Sequence, residues 1–392
     1  MKELDIKRMF GIPPKMDYDA HNREAQIVWD SYNADNPVRM PLSLSSGVRI
    51  LLCNPALNPD GITFEQYSMD VEMMMQVQLA YQYYLRHFLL SDAPMGGERD
   101  YAVYVDFQNY YDAAWFGSTI HYPRGNVPCS EPFLTDENKH ELFGHRPDVW
   151  NTFMQRNTRY GETMAEKCET MTYRGAKVNF AGVSLRGTDG PMTVACSLRG
   201  TTEFCIDLYE DTAYALKLLD YITDATIERI VALRGKYGHA LPDAFYFADD
   251  CIALLSNADY AEYILPRHKR LAAASSSMKE AGFVHLCGDA QRHFQTIRDE
   301  LNVNFFDTGY PVNLPKLYAE LGADVKVRGG VNVSLLLSGS PREIAAETRR
   351  IIDQVKPLTK RFIMAEANDL SPGTPPESIA AMYDAVREWG MY

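Results

Sequence analysis

His285 and Cys287, in FVHLCGDA (283–290), place an imidazole and a thiol two positions apart at the end of a short apolar run. Both are borderline-soft donors that suit Zn²⁺. In an extended strand, residues i and i+2 point to the same side, so the pair would face one way together. Gly288 beside them permits close backbone turning. A core histidine next to a small buried thiol would give the same pattern. Two ligands do not make a stable zinc site, so further donors must come from neighbouring strand ends. The ADD stretch (248–250) offers Asp249 and Asp250, which point to opposite sides of an extended chain. Either one of them caps the following helix or joins a polar interior network, or the inward one contacts substrate or metal. Cys251 is a weaker alternative ligand.

A second group of chemically useful side chains lies in DFQNYYDAAWFGSTIHYP (106–123). Such an aromatic cluster packs a core or lines a pocket for a flat apolar substrate. On the second reading Tyr110 and Trp115 contact substrate, while His121 is a proton donor or a surface residue. Asp106 is a candidate catalytic carboxylate, and Asp189 in GTDG (187–190) a candidate substrate contact. Cys53, Cys129, Cys168, Cys196 and Cys205 have no partner at metal-ligand spacing and read as small buried hydrophobes.

These residues need elements to hold them. Eight β-prone runs recur: 39–45, 101–107, 178–185, 244–250, 283–289, 303–309, 324–330 and 361–367. Helical patterns lie between many of them. The stretch 211–238 has apolar 3–4 spacing and ends in glycine, and 257–282 carries Pro266 as a kink or break. The 340–356 stretch opens with Ser340, Pro341 and Glu343, a capping box, and 374–390 repeats the design with Thr374, Pro375 and Glu377. Alternating strands and helices imply a mostly parallel sheet. Eight strands favour closure into a single (β/α)₈ (TIM) barrel domain over 1–392. A doubly wound sheet is the competitor, but G-x-G-x-x-G is absent after the first strand. The aromatic-rich stretch 60–135 is longer than a barrel connection needs and reads as an insertion covering the mouth, behind an N-terminal extension.

Composition sets outer limits. The net charge of −13 comes without a Lys/Arg-rich run, which argues against an extended nucleic-acid footprint. No apolar stretch approaches the ~20 residues of a membrane helix, and the N-terminus lacks a signal-like apolar core. Seven cysteines, an odd number with no signal, point to reduced thiols in the cytoplasm.

Four segments in order resemble the uroporphyrinogen decarboxylase superfamily: GTDGPMTVACSLRG (187–200), FADDCIALLSNADYAEYILP (247–266), FVHLCGDA, and the closing VRGGVNVSLLLSGSPREI with SPGTPPESIAAM. The resemblance implies a (β/α)₈ barrel and one of two chemistries. The branch of zinc-dependent methyltransferases, similar to the methyltransferase I component of O-demethylases, carries His-x-Cys on a barrel strand and takes a further cysteine from the last strand. Here that cysteine's place falls at about Asn368, so Glu366, two residues earlier, becomes the substitute ligand, with Asp307 the other candidate. This branch implies Zn²⁺, a small methylated substrate and a separate corrinoid (cobalamin) protein, since no D-x-H-x-x-G pattern occurs in the chain. The metal-free decarboxylase branch implies a central aspartate, which Asp106 would supply, and arginines gripping carboxylates, here Arg39 and Arg49. The R-x-x-G-R-type run of that branch is missing.

Overall fold

The computed structural model describes residues 3–97, 99–184 and 189–392. Leu185 of the third β-prone run and Gly187 and Thr188 of the GTDG motif lie outside the described residues. Seven parallel strands supply most of a barrel wall: β1 (Tyr101–Val103), β2 (Ala176–Phe180), β3 (Tyr246–Ala248), β4 (Gly282–Leu286), β5 (Val303–Thr308), β6 (Lys326–Asn332) and β7 (Phe362–Ala367). β3 to β7 form one sheet whose spatial order is the chain order, and β1 pairs with β2. The 39–45 run takes the eighth place beside β7. Leu42 bridges Met364 in parallel, and Met364 N–H donates to the Pro41 carbonyl at 2.9 Å. All eight β-prone runs thus supply wall positions of a (β/α)₈ barrel.

The outer edge of β1 is completed by side chains. From the helix Val71–Phe88, Gln78 accepts from the Tyr104 amide (3.0 Å) and donates to its carbonyl (2.9 Å). One turn later, Gln82 makes the same reciprocal pair with Ala102 (3.1 and 2.6 Å). Two glutamines at i, i+4 on one helix face thereby satisfy the ladder groups of an edge strand. That helix and β1 both fall within 60–135, so much of this stretch is wall. The short hairpin of Ile120–His121 and Cys129–Ser130 is its added part.

Several boundaries shift for local reasons. The 244–250 run stops at Ala248 because Asp249 and Asp250 turn the chain into a 3₁₀ segment, Asp250–Leu254. Ser340 and Glu343 form the expected capping box, and Gly238 ends Thr212–Tyr237 in a left-handed conformation. Thr374 does not cap its helix, because its hydroxyl donates to the Ser371 carbonyl. That helix begins at Pro376 instead. Near Pro266 the chain winds as a wide π turn, Tyr260–Ile264, and continues as Leu265–Ser275, the kinked alternative. No described helix is long and apolar enough to cross a membrane.

Burial alternates along β4 and β6, whereas β7 is buried at every position. Outward residues Val284, Leu286, Phe306, Val327 and Val331 are at most 1% exposed against the helix layer. Inward residues Phe283, His285, Cys287, Phe305 and Arg328 are only half-buried. The lumen therefore stays partly open instead of being filled by side chains.

Candidate functional site

Register builds the site. In parallel strands, residues paired across the ladder share a face, and His285 on β4 pairs with Asp307 on β5, which pairs with Arg328 on β6. The three side chains form one inward layer. His285 Nδ1 lies 2.6 Å from Asp307 Oδ2, and Arg328 donates to both Asp307 oxygens at 2.8 and 2.6 Å. Burial is the strongest single influence and opposes charge on His285, but the Asp307 hydrogen bond together with the Asp307 and Asp250 charges outweighs it and holds the imidazole pKa above its usual value. Burial likewise raises Asp307, and the bonds from His285 and Arg328 overcome it, so this carboxylate sits below its ordinary range.

The other face of the imidazole meets the thiol. His285 Nε2 is 3.2 Å from Cys287 Sγ, and the Cys287 amide donates to Asp250 Oδ1 at 2.7 Å. Donor atoms of Asp250, His285 and Cys287 all lie within 4.8 Å of one another. Burial, then the Asp250 charge, push the Cys287 thiol well up, so with protein alone it is protonated and donates to Asn368 Oδ1 at 3.0 Å. The backbone can make this turn because of glycine. A Cβ on Gly309 would stand 2.6 Å from the Gly288 nitrogen and 2.8 Å from the Cys287 Cα, and Gly288 itself has φ +68°. Asn368 holds φ +120°, a strained value for a side-chain-bearing residue, beside the thiol.

The two aspartates of ADD take different surroundings, and the helix that Asp249 caps is an earlier one in the chain, not the following one. Asp249 is fully buried and accepts from the Met192 and Thr193 amides, capping the helix Pro191–Arg199, and from His268 Nε2 at 2.9 Å. Asp250 faces the lumen group.

The remaining expected residues fall elsewhere. Asp307 stands behind His285, both oxygens engaged. Glu366 is 1% exposed, its Oε1 accepts from the Ser45 amide at 2.5 Å, and its Oε2 is buried without a partner. Burial pushes this carboxyl well above the usual range. Asp106 accepts from the Tyr67 hydroxyl at 2.6 Å and from the Gln108 amide at 2.9 Å, and burial still raises it. Arg49 pairs with Asp369 at 3.3 Å. His121 is exposed on its hairpin and bonded to Glu131 at 2.9 Å. The Asp189 amide donates to Asp112, and Asp189 borders a cavity of about 40 Å³, room for about one water.

Three expectations need correction. Trp115 and Tyr110 are each 1% exposed and belong to the packed interior. Trp115 lies against Phe116 and under the Arg229 guanidinium, and Tyr110 packs on Phe107 and Tyr122. Neither has a face left for substrate. Arg39 cannot grip a substrate carboxylate either, because it is 2% exposed and gives both η nitrogens to Asp92 at 2.8 and 2.6 Å.

The aromatic lining comes from the strands instead. One layer nearer the N-terminal ends, Tyr246 pairs with Phe283 and Phe283 with Phe305. Tyr246 stacks on Phe283 at 5.1 Å, and Phe283 meets Phe305 edgewise at 4.6 Å. Tyr104 and Tyr246 are 46% and 41% exposed, yet surrounding protein dehydrates both phenols enough to raise their pKa. Open surface combined with dehydration marks a concave wall. Period-two alternation would have found these rings, since Phe283 and Phe305 each precede a polar lumen residue by two positions.

Burial of Glu366 has a measurable consequence. Below the ordinary carboxyl range, folded and unfolded chains both hold the proton. As pH rises through that range the unfolded chain ionises while folded Glu366 keeps its proton, so stability falls by up to about 1.4 kcal/mol per pH unit. Glu366→Gln retains the acceptor for Ser45 and cannot titrate. Urea unfolding between pH 5 and 8 should show a flatter pH dependence in the variant. An unchanged slope would place the ionisation elsewhere.

Residues 109–389 match the family described as uroporphyrinogen decarboxylase (URO-D). Over 205 residues the chain is 29% identical to the methylated-thiol–coenzyme M methyltransferase of Methanosarcina mazei, covering 50% of this chain and 51% of that protein. It is 26% identical over 214 residues to a uroporphyrinogen decarboxylase of Wolbachia, covering 54% and 57%. The chain spans about half the length of the curated relatives it matches. A methyltransferase structure from Methanosarcina mazei superposes with a TM-score of 0.61 at 18% identity, over 94% of this chain and 98% of that one, which shows the shared fold. With the family match extending over most of the barrel, the chain belongs to the uroporphyrinogen decarboxylase family.

Proposed function

We propose that this protein is a zinc-dependent methyltransferase that moves a methyl group between a small methylated substrate and the cobalt of a separate corrinoid protein. The observation that carries the reading is the convergence of Asp250, His285 and Cys287 at the C-terminal end of the strands, with Asp307 braced behind the imidazole. The donor set fits zinc. Nitrogen, sulfur and oxygen donors are its ordinary ligands, three from protein leave a place for substrate, and a carboxylate on the remote ring nitrogen is the usual support. Bound zinc would supply Lewis-acid polarisation of the heteroatom that carries the methyl group.

The chain's own residues do the rest. Asp307 and Arg328 fix the imidazole so that Nε2 points at the thiol. Cys287 gives up its proton when it ligates. Tyr246, Phe283 and Phe305 offer flat apolar surface below the group, which favours an aromatic methyl ether as donor. The corrinoid protein would dock across the mouth and bring the reactive cobalt. Incubation with a cobalt(I) corrinoid and candidate methyl ethers, followed by methylcobalamin absorbance, tests the reading. Transfer from a methylated thiol alone would move the substrate towards that of the Methanosarcina relative. A second reading, decarboxylation, draws on half-buried Asp106 near Arg49. Carbon dioxide release from a carboxylated tetrapyrrole by metal-free protein would favour it.

Asn368 lends itself to a gain-of-binding test. Its side chain already reaches Cys287 Sγ at 3.0 Å, where the methyltransferase branch is expected to keep a cysteine. Asn368→Cys should tighten zinc by at least about tenfold in a competition with a chromophoric chelator. Unchanged or weaker binding would show that this position lies outside the coordination sphere.

A further inference from the structure

A groove separate from the Asp250, His285 and Cys287 group lies at the other end of the wall, where β1 begins at Tyr101 and β2 at Ala176. Its apolar end is a cavity of about 340 Å³ between the N-terminal extension and the last helix, lined by Met16, Phe88, Leu90, Met95 and Ala380. Its polar end is a cavity of about 600 Å³ lined by Tyr101, Arg174, Gly175 and Lys177. His87 lines both cavities and so stands at their joint. Pro14, Lys15 and Met16 border the apolar end and also a shallow hollow that reaches Tyr83 and His87. The turn from Thr172–Tyr173 into β2 holds Arg174 and Gly175 at φ +54° and +85°, and the Arg174 guanidinium lies over the Tyr83 ring at 5.5 Å. Arg86, in the last turn of Val71–Phe88, lies over the Tyr101 ring at 4.0 Å and donates to the Arg99 and Asp100 carbonyls. Among the described residues none of Arg86, Arg174 and Lys177 pairs with a carboxylate, although the chain carries a net charge of −13. Of the acidic groups nearby, Asp100 accepts from Asn179 at 2.9 Å, Asp17 accepts from the Ala20 amide, and Glu377 borders the apolar end.

We propose that this groove binds a single-chain anionic amphiphile, with its alkyl chain in the apolar end and its head against Arg174, Lys177 and His87. A guanidinium and an ammonium without carboxylate partners supply the charge complementarity. Each cavity falls in the range of about 300–1,000 Å³ found for small-molecule sites. His87 stacks on Tyr83 at 4.1 Å, and its Nδ1 lies 3.1 Å from the Tyr83 carbonyl. A carbonyl only accepts, so Nδ1 carries the hydrogen and Nε2 presents a lone pair. That nitrogen faces the wall of the polar cavity, since a Cβ on Gly97 would stand 3.7 Å from it. Burial, then the charges of Arg86 and Arg174, lower the imidazole pKa to about 4, which places a neutral ring in a positive field. A bound anion would offset that field. Carboxylate and phosphate heads share this chemistry, and the tighter of two probes identifies the head. The groove lies away from the proposed metal group, so it stands or falls independently of the proposed function.

Isothermal titration calorimetry on the full chain at pH 7 tests the site, with decanoate, decyl phosphate, decanol, acetate and inorganic phosphate as probes below micelle-forming concentrations. The tighter of the two anionic amphiphiles should bind at least tenfold better than decanol and than its own chainless head. Arg174→Ala combined with Lys177→Ala should weaken it at least tenfold, and both side chains are exposed, so the fold is kept. Ala380→Glu, which places a charge in the apolar end, should weaken it as much. The ring resonance of His87, identified by its loss in His87→Gln, should shift as that anion saturates. Decanol binding as tightly as both anions overturns the anionic head, and acetate or inorganic phosphate doing so overturns the chain. Unchanged affinity in the Arg174→Ala, Lys177→Ala variant, or an unmoved His87 resonance, overturns the site.

Discussion

Replacing Cys287 with alanine is expected to cost more zinc affinity than the roughly 10–100-fold that follows loss of a supporting hydrogen-bond partner, while the barrel stays folded. The thiol faces a half-open lumen, whereas the wall is held by outward residues such as Val284 and Leu286. His285→Ala should cost as much, for it removes the second of few soft donors. Asp307→Asn should fall in the 10–100-fold range, because it only loosens the imidazole. Elemental analysis gives zinc content, and circular dichroism melts report folding. Affinity in the wild type should also rise with pH. Burial keeps the Cys287 thiol protonated, so ligation releases a proton and each pH unit below the thiol's pKa adds about tenfold. Should Cys287→Ala unfold the chain with zinc content unchanged, the thiol is core packing and the metal reading fails.

The largest stability loss should come from Asp92→Ala. Asp92 is fully buried, receives two nitrogens of Arg39 and the Leu42 amide at 2.7 Å, and its own amide donates to the Leu42 carbonyl. Its removal leaves a buried guanidinium with Glu24 as its remaining carboxylate partner, and deprives the Leu42 amide of its acceptor. Breaking such a pair costs about 3–5 kcal/mol. The urea midpoint should drop accordingly, with Asp92→Asn intermediate because it keeps an acceptor for Leu42. A loss below about 1 kcal/mol would mean that water reaches Arg39 and replaces the carboxylate.

How legible all this was in the sequence depended on the physical signal. The wall was readable because β-prone runs and helical periods alternate, and His285-x-Cys287 was readable because a period of two fixes a shared face. Register was not readable. Nothing in the sequence pairs His285 with Asp307 and Arg328, so Asp307 read as a ligand candidate when its place is behind the ring. The aromatic cluster around Trp115 misled because density of rings says nothing about their direction, while the lumen rings sit singly on strands. Asp249 and Asp250 could be separated only by knowing which helix start lies across from β3. Gln78 and Gln82 gave no signal, since a side chain standing in for a strand has no sequence pattern.

Those two glutamines also bear on the order of assembly. They reach Tyr104 and Ala102 across only 26 and 20 residues, whereas the seam between 39–45 and β7 joins Ser45 to Glu366 across 321. Closing a short loop sacrifices less chain entropy and happens sooner. Helix Val71–Phe88 and β1 can therefore dock as an early local unit, with the exposed strand edge already occupied by tethered amides. A bare edge at that stage would be open to pairing with another chain emerging nearby. Gln78→Leu combined with Gln82→Leu should thus lower soluble refolding yield far more than it lowers the stability of protein that does fold.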